Sequence, residues 1–342
     1  MPTIQGASPS AAGRHFHFTL ITSSATQYRY AKNLALFLAG AATALAYTAY
    51  RRRKALRKPF AQPNLANAAS GAEILETRAA VDRLLLTHYG GQRPQDVLPD
   101  LFLNSPDNNI LRLALEYPSK LALLCERHCT ALCDFTGEFG DATALDIGCG
   151  VGATTFELSR AFIRVIGLDS TKTYINAAKT LKDRGWMRYT STTEGELTSE
   201  HSSVVAEDIE RNRVNFAVVG NLSSIPRDFI GPHDAVLASN VLCRVHDPLK
   251  FIAQLQKIVR PGGVVVLSSP YDWKESCTPR NNWLGGFKGR DGKEFQSAER
   301  LKAAMKGEFE LIAEEELPFL LGREHGRRYE VGLAHATVWK RR

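Results

Sequence analysis

The pattern of hydrophobic and polar positions changes its period near residue 142 of this 342-residue chain. Before that point, apolar residues recur at helical spacing over residues 73–88 and 111–133, the second segment interrupted near Pro118. Beyond it, short apolar runs alternate with helical patterns. The pattern predicts strands at 144–147, 164–168, 214–219, 234–238 and 264–268, with helices at 154–161, 172–183 and 248–259. This alternation indicates an α/β fold with a doubly wound, mostly parallel sheet and an N-terminal helical cap.

Two segments fall outside this alternation and suggest how the chain is organised. Residues 189–213 are polar and acidic, and predict a surface insertion between the second helix and the third strand of the core. Residues 60–72, rich in Pro, Asn, Ala and Gly, predict a linker. We therefore expect a leader over residues 1–72 and one domain over residues 73–342. Within that domain the cap is 73–140, the core is 141–268, and a loop and tail follow at 269–342.

The leader contains an uncharged apolar run of 17 residues, 34–50, which is followed at once by the basic segment 51–54. As a helix it would be about 26 Å long, close to the ~30 Å of a bilayer's hydrocarbon core. A single membrane anchor is the favoured interpretation. An organellar targeting peptide and a buried soluble helix stay open, because the leader is acid-free and carries Arg, Ser and Thr.

The net charge of +7 arises in this leader. Residues 1–72 carry nine Lys or Arg and no acid, whereas the rest of the chain carries 34 basic and 36 acidic residues. A slightly acidic domain argues against nucleic acid as a partner.

More basic residues follow the apolar run than precede it, so the positive-inside rule predicts a single-pass protein with its domain in the cytosol. The alternative is a mitochondrial protein whose transit peptide has been removed.

The six cysteines predict neither a disulfide framework nor a metal site. Cys125, Cys129 and Cys133 are spaced at i, i+4 and i+8, which places them on one stripe of a helix. His128 lies off that stripe. We interpret the three as small apolar residues that pack inward.

A glycine-rich loop follows the first predicted strand and opens a helix. Glycine allows such a loop to turn tightly and to bring its N–H groups against a ligand. The spacing Gly148, Gly150, Ala153 also fits the dinucleotide fingerprint of dehydrogenases. Asp169, at the end of the second strand, suits a ribose acceptor in either case. Asp146, two residues before the loop, is placed to organise it near a cationic or amine-bearing ligand.

Downstream residues favour one of these two interpretations. The fourth strand ends at Ser239-Asn240, and Arg260-Pro-Gly-Gly263 precedes the fifth strand. This array resembles the seven-stranded, Rossmann-like methyltransferases that use S-adenosylmethionine. The resemblance implies that the glycine loop holds the methionine portion of the cofactor and that the acid after the second strand binds the ribose. It also implies that residues after the third strand face the adenine. The family often has Asp at the position of Asn221. The implied cofactor site comprises Asp146, Gly148, Gly150, Gly152, Asp169, Asn221, Leu222, Ser239 and Asn240.

A narrower resemblance follows the fifth strand. The run SPYDWKESCTPRNNWLGG at 269–286, with SNVLCRVHDP at 239–248, HYG at 88–90 and LPFLLGREH at 317–325, is similar to the 4-mercaptohistidine N1-methyltransferases. That group also forms the C-terminal domain of the ovothiol-forming sulfoxide synthase. The resemblance covers residues 73–342 and implies N-methylation of the imidazole of a thiolated histidine.

The same resemblance implies which residues handle the substrate. The candidate bases are Tyr271, Glu275 and His325, and the candidate substrate-binding residues are Trp273, Asn282, Trp283, Arg323 and Glu324. An arginine suits the carboxylate, an acid suits the ammonium, and the aromatic rings suit the imidazole. The two tryptophans equally fit a packing role. The reaction requires no metal.

Three alternatives remain at this point. The same fold could methylate another small molecule or a histidine-containing peptide. The chain could also be a membrane-tethered, non-catalytic protein that binds S-adenosylmethionine. A nicotinamide-dependent dehydrogenase is disfavoured by Pro261-Gly-Gly263 and by the motifs of the tail.

Overall fold

The computed structural model describes residues 76–92, 94–98, 110–132, 141–325 and 328–342, without the side chains of Asp96 and of 322–327. The predicted leader helix at 34–50 and the linker at 60–72 lie outside these residues. Within the described ranges, no helix has the length and apolar character needed to cross a membrane. The membrane anchor therefore stays a prediction.

Short helices precede the sheet, as the sequence pattern predicts. They are α1 (Arg78–Tyr89), α2 (Pro94–Val97), α3 (Ile110–Leu115) and α4 (Tyr117–His128). Thr77 caps α1, since its hydroxyl accepts a hydrogen bond from the amide of Ala80 at 3.2 Å. Pro118 lies in the first turn of α4, where a missing N–H costs nothing, and so it marks the break between α3 and α4. Cys125 and Cys129 are buried, as predicted, but α4 ends at His128, so Cys129 follows the helix; Cys133 lies outside the described residues.

Seven strands form the central sheet, in the order β10-β11-β7-β6-β1-β2-β5. Their bounds are β1 (Thr143–Ile147), β2 (Arg164–Asp169), β5 (Val214–Val218), β6 (His233–Ser239), β7 (Val259–Ser269), β10 (Phe309–His325) and β11 (Arg328–Arg341). The pairs from β5 to β7 are parallel, and β11 runs antiparallel to both of its neighbours. The predicted seven-stranded, mostly parallel sheet is confirmed.

The sheet is covered on both faces, which explains why its strands read as continuous apolar runs. The other helices are α5 (Ala153–Leu158), α6 (Lys172–Arg184), α7 (Pro248–Ile258) and α8 (Ser297–Met305). Alternate residues of β7 enter opposite cores: Val264 and Val266 pack with α1, α4, α5 and α6, whereas Val265 and Leu267 pack with α7 and α8. The sheet is therefore rigid where its carboxyl edge carries the loops.

The polar stretch at 189–213 is more ordered than the sequence suggested. Strands β3 (Trp186–Glu194) and β4 (Leu197–Val204) form an antiparallel hairpin within and just before this stretch. The hairpin packs against α1 through polar contacts: Thr190 donates its hydroxyl to Asp82 at 3.0 Å, and the Ser203 hydroxyl donates to the carbonyl of Leu85 at 3.2 Å. The predicted surface insertion is corrected to a hairpin that packs through polar residues, which hid it from hydrophobic patterning. A second, two-stranded pair joins β8 (Phe287–Lys288) to β9 (Glu294–Phe295).

Candidate active site

The strand order reverses between β1 and β6, and this reversal positions the site. From β1 the chain proceeds to β2 and β5 on one side and to β6 and β7 on the other. Loops that leave the carboxyl ends of β1 and β6 diverge there, and open α/β sheets bind ligands in the resulting crevice. The glycine loop follows β1, and Asn240 follows β6.

The glycine loop adopts a backbone conformation that other residues disfavour. Gly148 has φ +78° and Gly152 has φ +86°. A Cβ atom on Gly148 would clash with the side chain of Val241, and one on Gly152 would lie 2.7 Å from the ring of Phe216. The loop is tied to β2 because the amides of Gly148 and Cys149 both donate to the carbonyl of Leu168, at 2.7 and 3.0 Å. These glycines are required for the turn and for the close approach of the backbone to its neighbours.

Asp169 links the end of β2 to the loop. One carboxylate oxygen accepts from the amide of Gly150 at 2.9 Å, and the other accepts from the amide of Thr171 at 2.8 Å. The side chain is buried, and this burial raises the pKa of the carboxyl. Each oxygen keeps a further lone pair, so the carboxylate can also accept from two ribose hydroxyls.

Asp146 lies on β1, just before the loop, and bonds to the helix that follows the loop. The residue is 1% exposed, and its carboxylate accepts from the hydroxyl of Thr155 at 2.7 Å. Burial raises its pKa to about 7, and the negative charge of Asp169 adds to the rise. The Thr155 contact thus links β1 to α5 on either side of the loop, and the role of Asp146 toward a ligand stays a prediction.

A hydroxyl-rich cluster joins the ends of β6 and β7 to the cap. The Tyr117 hydroxyl lies 2.7 Å from the Ser268 hydroxyl, 3.1 Å from that of Ser239 and 3.3 Å from the side-chain oxygen of Asn240. Asn240 has φ +54°, a strained conformation for a residue other than glycine. Ser239 and Asn240 were predicted at the cofactor, but Tyr117 was not. An aromatic hydroxyl beside Pro118 at the start of a helix was the available signal.

The residues predicted to face the adenine lie at the carboxyl end of β5. Asn221 is exposed, and its side-chain oxygen accepts from the amide of Ser223 at 2.9 Å in a local turn. Leu222 is half-buried, and its carbonyl accepts from the side chain of Gln254 at 2.7 Å. The sheet therefore brings this turn to the same edge as Asp169, one strand away.

His88 of the cap lies against the glycine loop, a position that the sequence alone did not assign. A Cβ atom on Gly150 would be 3.5 Å from Cε1 of His88. Its Nδ1 is buried and has no hydrogen-bond partner among the described residues. Burial lowers the pKa of this imidazole to about 4, so the ring is neutral near pH 7.

Tyr271, a predicted base, lies just beyond β7 in a strained turn. It has φ +53°, and its amide donates to the hydroxyl of Ser269 at 3.1 Å. Its phenol oxygen lies 2.8 Å from Nδ1 of His335 on β11. Burial, together with the charges of Glu316 and Glu314, raises the pKa of the phenol, which therefore stays protonated near neutral pH.

An open cavity of about 340 Å³ lies beside Tyr271. Its charged and polar lining comprises Tyr271, Lys302, Glu316 and His335, and Leu333 is also at its wall. The sequence analysis did not select His335. A histidine flanked by two alanines in the middle of a strand was the signal that could have indicated it.

The predicted substrate-binding tryptophans pack against each other. Their rings stack at 6.1 Å between centroids. The indole N–H of Trp273 donates to the Ser297 hydroxyl at 2.9 Å, and that of Trp283 donates to the carbonyl of Thr278 at 2.8 Å. Trp273 is buried in the core beside α7 and α8. Both rings therefore stabilise the loop after β7, which agrees with their packing interpretation.

Two further candidates, Asn282 and Glu275, are not among the residues that line the cavity. Asn282 donates its side-chain amide to the carbonyl of His246 at 2.9 Å, and Glu275 is exposed. The backbone places Arg323, Glu324 and His325 at the end of β10, but their side chains lie outside the description. Their roles stay predictions.

Comparison with known proteins decides the family. The family model described as "Methyltransferase domain" matches residues 105–310, more than half of the chain. The chain belongs to this methyltransferase family. The match decides between the two interpretations of the glycine loop, in favour of an S-adenosylmethionine-dependent methyltransferase and against a dehydrogenase. S-adenosylmethionine is therefore the expected cofactor, and the tight cradle around Gly148 and Gly152 fits it.

Curated relatives match stretches of different length in this methyltransferase. The mitochondrial ubiquinone biosynthesis O-methyltransferase of Dictyostelium discoideum is 31% identical over 131 residues, 36% of this chain and 34% of that protein. The ubiquinone biosynthesis O-methyltransferase of Bartonella tribocorum is 22% identical over 236 residues, 67% of this chain and 86% of that protein. The match thus spans only about a third of the Dictyostelium protein.

Solved structures with a similar chain path include other methyltransferases. The N-methyltransferase NodS of Bradyrhizobium japonicum, in complex with S-adenosyl-L-homocysteine, is 15% identical with a TM-score of 0.41, over 75% of this chain and 98% of that one. The cyclase SpnF is 15% identical with a TM-score of 0.45, over 82% and 99%.

Proposed function

We propose that this methyltransferase transfers a methyl group to an imidazole nitrogen of a thiolated histidine, as in ovothiol biosynthesis. The observation that carries the proposal is the cavity beside Tyr271. Tyr271 belongs to the 269–286 run on which the narrower resemblance rests, and it shares the cavity with Lys302, Glu316 and His335. A polar cavity with side chains of both charges suits an amino acid better than an apolar acceptor.

The chemistry of the cavity supports a zwitterionic acceptor. A thiolated histidine carries an ammonium, a carboxylate and a polar ring. Glu316 is exposed at the cavity wall and is the natural partner for the ammonium. The ammonium of Lys302 lies 3.1 Å from Glu314 and can pair with the carboxylate of the acceptor. Arg323 is a second candidate for the same role.

The chain's contribution to the reaction is alignment. When bound, S-adenosylmethionine supplies an electrophilic methyl group on a sulfonium. Gly148, Gly150 and Gly152 form the cradle for its amino-acid portion, and Asp169 accepts from the ribose hydroxyls. Tyr271, on a strained and therefore fixed backbone, positions the acceptor ring from the neighbouring strand end. Holding two reactants in line in this way replaces a bimolecular encounter by an effectively unimolecular step.

A second candidate acceptor is a phenolic hydroxyl. The observation that favours it is the relationship to ubiquinone biosynthesis O-methyltransferases. Such an acceptor is larger and more apolar. It carries no charged group that could pair with Glu316 or Lys302 at the cavity wall.

The test is a comparison of acceptors in one assay. The full-length protein is incubated with S-adenosylmethionine and 5-thiohistidine (4-mercaptohistidine in the other naming), histidine or a catechol, and formation of S-adenosylhomocysteine is measured. We expect turnover with thiohistidine to exceed that with the other two by at least about 100-fold. Faster turnover of the catechol would replace the proposal by the second candidate.

The leader is proposed to be a single-pass membrane anchor that leaves the domain in the cytosol, with mitochondrial import as the alternative. Cell fractionation with protease protection tests this. A full-length, carbonate-resistant protein whose domain is digested in intact microsomes supports the anchor. A shortened protein protected inside an organelle refutes it.

A further inference from the structure

The carboxyl end of β7 carries a linear chain of polar contacts that crosses three strands. The Tyr271 hydroxyl lies 2.8 Å from Nδ1 of His335, and Nε2 of His335 lies 3.5 Å from a carboxylate oxygen of Glu314. Lys302 of α8 holds the same oxygen at 3.1 Å. The ring of His335 thus has the phenol at one nitrogen and a carboxylate near the other.

The sheet register explains why these groups meet. His335 lies directly opposite Ser269 of β7 and Glu316 of β10, and paired residues of neighbouring strands point to the same face. Glu314 lies two residues along β10 and therefore shares this face. The His335 side chain is 15% exposed, whereas that of Glu314 is 44% exposed, so the chain of contacts leads from the interior toward solvent.

The arrangement favours one tautomer of His335, with the proton on Nε2. With Nε2 donating to the Glu314 carboxylate, Nδ1 of a neutral His335 is left as an acceptor, and the Tyr271 hydroxyl is then its donor. The free lone pairs of the phenol oxygen remain available to a proton from the cavity. The same order of donor, imidazole and carboxylate activates hydroxyl groups in hydrolytic enzymes.

We propose that His335, oriented by Glu314, is the proton acceptor of the reaction and acts through the hydroxyl of Tyr271. The inference rests on the proposed function. A thiol on an imidazole shares its proton with the ring, so the nitrogen to be methylated must give up a proton.

The step balances as a single displacement with one proton relay. A bond forms between the ring nitrogen and the methyl carbon, and the bond between that carbon and sulfur breaks, leaving the electron pair on sulfur. The ring proton passes to the phenol oxygen of Tyr271 as the phenol proton passes to Nδ1 of His335. The resulting imidazolium is stabilised by the Glu314 carboxylate and releases its proton to solvent afterwards.

His335 acts through Tyr271 and is therefore a positioning residue, whose role requires a test beyond loss of rate. The charged and titratable groups around it are Tyr271, Glu314, Glu316, Lys302 and the buried thiol of Cys243. His335→Asn keeps an acceptor near the position of Nδ1 but cannot take up a proton. The matched control is His201→Asn, because His201 lies on β4 and stacks on Tyr189, away from the cavity.

The kinetic arm measures turnover of thiohistidine against pH. We expect His335→Asn to lower kcat about 100-fold with KM changed less than about threefold, and to change the shape of the kcat–pH profile relative to the wild type. Tyr271→Phe combined with His335→Asn should be no slower than the slower single variant, because the two act as one unit. The His201→Asn variant should behave as wild type. Full activity in His335→Asn, or additive losses in the double variant, overturns the relay and leaves the proposed function standing.

The second arm needs no turnover. Nitrogen NMR of the histidine rings in the unliganded protein at neutral pH should show Nδ1 of His335 unprotonated, with its resonance shifted in Tyr271→Phe and unshifted in His201→Asn. A protonated Nδ1 overturns the relay, whether or not thiohistidine is methylated. Absence of thiohistidine turnover with an unprotonated Nδ1 refutes the proposed acceptor instead.

Discussion

The two halves of the sheet's carboxyl edge are held together by different kinds of contact. On the cofactor side, backbone amides make the decisive bonds: Gly148 donates to the Leu168 carbonyl, and Gly150 donates to Asp169. On the acceptor side, side chains meet side chains, as between Tyr271 and His335. The first half is closed and buried, and the second is an open cavity.

This difference explains how one fold can hold one cofactor and accept many substrates. A loop made by backbone groups with positive φ leaves little freedom in residue type. A cavity made by exposed side chains can change its chemistry one residue at a time without disturbing the sheet. Substitutions on the two halves should therefore fail in different ways.

The largest effect is expected from Gly148→Ala. The added Cβ meets the Val241 side chain in a backbone conformation with φ +78°. Strain and overpacking together should lower the free energy of unfolding by about 2–5 kcal/mol and weaken S-adenosylhomocysteine binding at least about 100-fold. Gly195→Ala is the matched control, because Gly195 also has positive φ but open space around it. Gly195→Ala should lower the free energy of unfolding by about 1 kcal/mol and bind S-adenosylhomocysteine as the wild type does. Equal losses of binding in both variants would contradict the assignment of the glycine loop to the cofactor.

Tyr271→Phe tests the independence of the acceptor side. The variant loses the hydroxyl that contacts His335 but keeps the ring and its packing. We expect kcat to fall about 100-fold, while calorimetry shows an unchanged dissociation constant for S-adenosylhomocysteine. Loss of both cofactor binding and acceptor binding in this variant would show that the two sides of the site do not act independently.

Asp169→Ala probes the cofactor side with a smaller effect. Removal of a charged acceptor leaves the Gly150 amide without its carboxylate partner and would delete the two contacts that we assign to the ribose hydroxyls. Binding of S-adenosylhomocysteine should weaken at least about tenfold, as measured by calorimetry. Asp208→Ala, which removes an exposed carboxylate paired with Arg160, should change it less than about twofold. Unchanged binding in a folded Asp169→Ala protein would refute the ribose assignment.

The last prediction concerns the pH dependence of stability and not binding. The pKa of Asp146 rises from 3.8 to about 7 on folding, so between these values the folded chain holds a proton that the unfolded chain has lost. The contribution of Asp146 to the free energy of unfolding is therefore fully present below pH 3.8 and is lost as the pH rises through about 7. Thermal unfolding at about pH 5 and about pH 8 should show a smaller decrease for Asp146→Asn than for the wild type. An identical decrease in both proteins would show that Asp146 is ionised in the fold.

The strand, glycine loop and helix that start the core could be predicted from the sequence because their determinants are local. The strand that ends at Ile147, the loop from Gly148 to Gly152 and Asp169 lie within about 25 residues of one another. Their residue types are dictated by turn geometry and by the end of a neighbouring strand. The five core strands follow from apolar runs buried on both faces.

The acceptor side was predicted less completely because its contacts are long-range. Tyr271 and His335 are separated by 64 residues and meet only through the register of β7 and β11. Tyr117 and Ser268 are separated by 151 residues. The hairpin of β3 and β4 escaped prediction for another reason, since it packs on α1 through polar residues such as Ser203.

The most direct test of the account is the structure of the product formed from thiohistidine. The full-length protein is incubated with 5-thiohistidine and S-adenosylmethionine carrying a carbon-13 methyl group, and long-range NMR correlations locate the label. The account predicts one methyl group on a ring nitrogen, correlated with ring carbons, and none on sulfur or on the α-amino group. A label on sulfur or on the α-amino group, or none at all in a protein that binds S-adenosylhomocysteine, contradicts it.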